Sequence, residues 1–177
     1  MNTDFYPLAR DCRRGRHHPD RFRTGAGLET GFTCKHCGGY VSTDYIASGV
    51  RNRNHCPYCL WSRHVDLVAA GDRLAACKAP MRPIGLSLKA TRNRYAPDSG
   101  ELMLIHLCTD CEMLSINRIA ADDVPEALFD VFADSLRLDV TARDRLKAEG
   151  IRLLLAADER LVRQRLYGCE LTPALAA

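Results

Sequence analysis

The feature that most constrains the fold is a set of three Cys-x-x-Cys turns: Cys34-Lys-His-Cys37, Cys56-Pro-Tyr-Cys59 and Cys108-Thr-Asp-Cys111. One such turn aims two thiolates at a single ion, and two turns complete the tetrahedron that structural zinc favours. Eighteen residues separate the first pair from the second, inside the 15–20 typical of a double knuckle. Gly38 and Gly39 follow the first pair and leave the backbone free to curl around the sulfurs. Cys34, Cys37, Cys56 and Cys59 therefore read as one closed four-thiolate site. The third pair needs two further donors. Cys77 is one candidate, and His64 leads for the other over His106, which lies only two residues before Cys108. This predicts a second site of His64, Cys77, Cys108 and Cys111, and hence two Zn2+ per chain. Spacing alone leaves a crossed arrangement open, with Cys56, Cys59, His64 and Cys77 on one ion and Cys34, Cys37, Cys108 and Cys111 on the other.

The chain shows no transmembrane span and no signal-peptide core near its start, so the expectation is a cytoplasmic protein without membrane contact. In that compartment nine cysteines point to metal more than to disulfides. Thioredoxin-like chemistry needs a βαβ context that the sequence does not offer. Four protein ligands at each ion leave no open position of the kind catalytic zinc keeps. Phosphate-binding, nucleophile-elbow and His-Glu-x-x-His motifs are all missing from the sequence. The chain is expected not to be an enzyme. The minority reading is an enzyme with an open second site near His64, His106 or Asp110.

Charge divides the 177 residues into unequal parts. Residues 1–121 carry 17 Lys and Arg against 11 Asp and Glu, whereas residues 122–177 carry 8 against 11. Residues 1–31 read as a basic, flexible arm. Residues 32–121 hold seven cysteines among short β-like runs and Gly- or Pro-marked turns, the pattern of small metal-organised β structure. Residues 122–177 read as amphipathic helices: Pro125 starts one, Thr141 caps another, and Leu154, Leu155, Leu161, Val162 and Leu166 form the apolar set of a third. The expected fold class is α+β, a zinc-ribbon-like β module followed by helices.

The run Arg53-Asn54-His55-Cys56-Pro57, with the later CKAPMRPIGL and NRIAADD, resembles the bacterial RNHCP domain family over residues 30–123. The resemblance implies a zinc-ribbon-like module, supports both ligand sets and implies no particular activity. Arginines crowd the second knuckle. A four-thiolate zinc carries a formal charge of about −2, so they could be compensating it. Yet residues 72–94 hold six cations against the single acid Asp72. The favoured reading is therefore an RNA contact surface of Arg51, Arg53, Arg63, Arg82, Lys89, Arg92 and Arg94, joined by Arg13, Arg14 and Arg16 from the arm. Tyr58, Trp61 and Tyr95 could stack on bases, although Trp61 reads first as an anchor beside the zinc. Structured RNA, ribosomal RNA foremost, is the expected partner. The alternative is a protein–protein adaptor that binds through helices within 124–167.

Overall fold

A computed structural model of the chain describes residues 31–90 and 100–168. The arm with Arg13, Arg14 and Arg16, the segment with Arg92, Arg94 and Tyr95, and Cys12 and Cys169 lie outside the described residues.

Two antiparallel sheets carry the β structure. A small ribbon pairs β1 (Gly31–Thr33) with β2 (Tyr40–Ser42), and a single helical turn, α1 (Tyr45–Ser48), follows it. The larger sheet runs in the order β3 (Ser62–Arg63), β4 (Pro80–Lys89), β5 (Glu101–Cys108), β6 (Leu114–Arg118). Its two long strands are buried at four successive positions each, residues 84–87 and 103–106, because both faces are covered. Leu86 and Leu104 pack with Leu128, Phe132 and Val162, while Ile84 and Ile105 pack with Leu146.

The helices are α2 (Pro125–Ser135), α3 (Val140–Ala148) and α4 (Glu159–Tyr167). Pro125 opens α2 as the sequence predicts. The cap of α3 is Asp139, not Thr141: the Asp139 carboxylate accepts from the Ala142 N–H at 2.7 Å. A second difference concerns residues 151–155, expected to be helical. Leu153 instead bridges Ser87, and the Leu154 N–H donates to the Leu86 carbonyl at 2.9 Å. The exposed rim of β4 satisfies this backbone better than an isolated turn of helix would, and Leu154 is wholly buried there. Helix α4 begins only at Glu159.

The main core crosses the charge boundary near residue 121, since Leu60, Leu86 and Leu104 share it with Leu128, Phe132, Leu154 and Val162. At Gly85, beside a register shift in β4, an added Cβ would stand 2.7 Å from Leu153 Cδ1 and 3.1 Å from Ser135 Cβ. Gly85→Val is expected to cost about 1–3 kcal/mol by overpacking, read as a lower urea midpoint with the slope unchanged.

Candidate metal centres

Three knuckles share one backbone design. The N–H of the first cysteine donates to the carbonyl five residues on: Cys34 to Gly39 at 2.8 Å, Cys56 to Trp61 at 2.9 Å and Cys108 to Met113 at 2.9 Å. In each, the residue after the second cysteine is left-handed: Gly38 at φ 76°, Leu60 at 61° and Glu112 at 59°. Only the first is glycine. A side chain in that region costs roughly 1–2 kcal/mol, so Leu60 and Glu112 hold it because the surroundings impose it. Leu60 recovers the cost by burying its side chain in the main core. Lys78, directly after Cys77, takes the same conformation at φ 55°.

The sulfurs converge in two sets. Cys34, Cys37, Cys56 and Cys59 form one, and His64, Cys77, Cys108 and Cys111 the other, with ligand atoms all within 4.8 Å of one another in each. Cys34–Cys59, Cys37–Cys56 and Cys77–Cys108 sulfurs stand 3.6 Å apart. A tetrahedron built on ~2.3 Å zinc–sulfur bonds has edges of about 3.8 Å, whereas a disulfide needs ~2.05 Å. His64 completes the second set through Nδ1, 3.2 Å from Cys111 Sγ. The crossed pairing is not formed.

Protonation follows the same logic. The Gly39 backbone N–H draws the exposed Cys37 thiol down to about 7. Burial pushes the Cys56 and Cys59 thiols up and Cys77 up to about 12. For Cys108, burial is outweighed by the backbone N–H groups of Cys111 and Asp110, and its pKa falls. A bound dication holds all such thiols as thiolates, so loading each site releases protons. Burial lowers the pKa of His64 and keeps its imidazole neutral, the form that binds metal.

His106 is not a ligand. It is fully buried, and burial with the neighbouring His55 lowers its pKa to about 3. The neutral ring donates from Nε2 to the Leu60 carbonyl at 2.7 Å and accepts at Nδ1 from the Asn117 amide at 2.8 Å. It ties β5 and β6 to the second knuckle. Asp110 stands at the rim of the second set, its carboxylate 3.5 Å from Cys77 Sγ.

Arg53 corrects the sequence-based surface. Its side chain has no solvent exposure. It bonds Asp122 at 2.6 Å, Asp123 at 3.1 Å and the His55 carbonyl at 3.2 Å. His55 Nε2 lies 2.8 Å from the other Asp123 oxygen, which also accepts from the Ala120 N–H at 2.7 Å. Arg53 and His55 thus clamp the acids that precede α2, and the Arg53 guanidinium is spent on that clamp, while Asn54 between them is half-buried. Its partners are 68–70 positions away, and the acids of NRIAADD were the sole sequence signal of them.

The other described cations of that predicted surface, Arg51, Arg63, Arg82 and Lys89, are exposed. Arg82 lies on β4, Lys89 at its end, and Arg51 over the Tyr45 ring at 5.8 Å. Arg63 donates to the Lys78 carbonyl. Arg63, Lys78 and Lys35 line a cleft of about 100 Å³ with His36 and Trp61, and among the described residues no carboxylate lines it. Trp61 is half-buried and stacks on exposed His36, with centroids 4.2 Å apart and planes within 7°.

Three like knuckles and two sets of four ligands define a zinc-binding module with two zinc sites. The RNHCP domain family matches residues 29–129, more than half of the chain, and the chain belongs to that family. No curated protein and no solved structure matches it. Among the described residues no helix is long and apolar enough to cross a membrane.

Proposed function

We propose that this chain is a non-enzymatic, cytoplasmic RNA-binding protein whose two zinc ions stiffen the recognition surface, with structured RNA, ribosomal RNA foremost, as the ligand. The observation that carries the reading is the cleft beside the first zinc site. Lys35, Arg63 and Lys78 surround the Trp61–His36 stack there without an intervening acid. Cations placed to meet phosphates next to an aromatic face suit unpaired nucleotides. Arg51, Arg82 and Lys89 extend the positive surface. Both ligand sets already supply four protein donors, which supports a structural role for the metal. The adaptor reading has less to draw on, because α2 and α4 place Leu128, Phe132 and Val162 in the core.

Trp61 is the only tryptophan, so its fluorescence reports the cleft directly. Titration with a structured ribosomal RNA fragment is expected to change that emission. The double variant Lys35→Ala, Arg63→Ala is expected to keep two zinc ions and to lower the slope of log K against log salt by roughly 1.5–2. An unchanged slope with silent Trp61 fluorescence would overturn the reading.

A further inference from the structure

β6 is an edge strand, and the geometry of its hairpin fixes which backbone groups it leaves free. The Cys108 N–H bonds the Met113 carbonyl at 2.9 Å, so Cys108 and Met113 form a hydrogen-bonded pair. Antiparallel pairs alternate along the ladder. Ser115 and Asn117, opposite His106 and Leu104, therefore bond β5, while Leu114, Ile116 and Arg118 turn their N–H and C=O groups outward. Among the described residues no backbone hydrogen bond is made to those outward groups.

The free edge faces a groove. Two adjoining cavities of about 360 and 400 Å³ share Asn54, Ala70, Ile116 and Asn117 as walls. Together they follow the whole of β6, opposite the segments around residues 51–54 and 65–70. Loop 65–74 is braced. Asp72 accepts from the backbone N–H groups of Leu67, Val68, Ala69 and Leu74, and Asp66 from those of Gly71 and Arg73. These bonds hold the Asp72 carboxyl well below the ordinary range, the Ala69 N–H most of all.

Two further observations point to a ligand. Among the described residues His64 Nε2 is buried without a hydrogen-bond partner, on a side chain that lines the larger cavity. A histidine that binds metal through one nitrogen ordinarily donates from the other, so this donor lacks its acceptor. Arg118 is paired with Glu101 at 3.1 Å, and the remaining cations along the groove, Arg51, Arg63 and Lys89, still outnumber the acids Asp66 and Glu149. Asp66 is already engaged by the loop's own N–H groups.

From these features together we infer that the groove receives an extended, acidic peptide segment of a partner protein as an added strand beside β6. The peptide backbone bonds the outward groups of Ile116 and its neighbours, its carboxylates meet the groove cations, and one of its oxygens accepts from His64 Nε2. Strand addition to an open edge draws affinity from main-chain bonds and selectivity from the side chains on either side.

The test uses the zinc-loaded full chain and a displayed library of random twelve-residue peptides. The peptide enriched by selection is synthesised unmodified and with alternate backbone nitrogens methylated. It is expected to be rich in Asp and Glu. At saturation it should slow amide exchange at Ile116 and Arg118 by tenfold or more, while Ser115 and Asn117, already bonded to β5, change little. Methylation should weaken binding at least tenfold, and Arg51→Glu with Lys89→Glu should weaken the unmethylated peptide. The inference is overturned if no peptide is enriched, if the enriched peptide protects amides elsewhere, or if methylation leaves affinity unchanged. Protection of Ile116 that grows with protein concentration in the absence of peptide would also overturn it, by assigning the edge to a second copy of the chain.

Discussion

Cys56→Ala is expected to reduce bound zinc from two ions to one per chain and to unfold the first knuckle pair, the largest single-residue effect in the molecule. Structural zinc sites contribute about 10–16 kcal/mol of apparent binding free energy at neutral pH, and in small modules that energy is folding energy. Cys56 concentrates the loss. Its sulfur is wholly buried beside Cys37, and its N–H and C=O close the turn to Trp61 and Leu60. Leu60 is held left-handed in that turn and anchors the main core. Releasing the metal therefore loosens the packing of β4 and β5 against α2 as well as the small ribbon. Metal analysis of the purified variant beside thermal unfolding checks this. Two zinc ions with an unchanged melting temperature would remove Cys56 from the ligand set. Cys169→Ala is the control and should retain two.

The ligand sets were readable from sequence because knuckle chemistry is local: two thiols three residues apart and a left-handed residue behind them suffice. What spacing could not decide was which knuckle meets which. That depends on β4 and β5, which carry the third pair away from the first site and set it beside His64 and Cys77. The misplaced residues failed for a related reason. Leu154 and Leu155 fit a helical period with Leu161 and Val162, but the unfilled rim of β4 competes for the backbone of residues 153–154, and tertiary pairing overrides local propensity. Arg53 looked like its neighbour Arg51, an arginine near a zinc knuckle. The difference lies in Asp123, 70 positions along the chain, which no local pattern connects to it. Burial separates the two arginines: one is sealed among carboxylates, the other lies exposed over Tyr45.

That difference supports the second large prediction. Asp123→Ala is expected to cost about 3–5 kcal/mol while leaving both zinc ions bound. The Arg53 and Asp123 side chains are fully buried, and His55 nearly so. Removing the carboxylate leaves the buried imidazole without its acceptor and the buried guanidinium with Asp122 as its one carboxylate partner, and breaking one partner of a buried pair costs that much. It also deletes the acceptor of the Ala120 N–H, just ahead of α2. For a chain of this length the melting temperature should fall by roughly 10 °C. Asp122→Ala tests the cause. Asp122 meets the same guanidinium at 2.6 Å, but its side chain is 37% exposed, and solvent screening should hold its cost to about 1 kcal/mol or less. Arg53→Met combined with Asp123→Leu should recover part of the loss, because neither charge is then left alone in the interior. Equal, small costs for Asp122→Ala and Asp123→Ala would mean that solvent reaches the clamp. Arg53 would then return to the set of cations available to a ligand, and the motif that marks this family would serve contact as well as architecture.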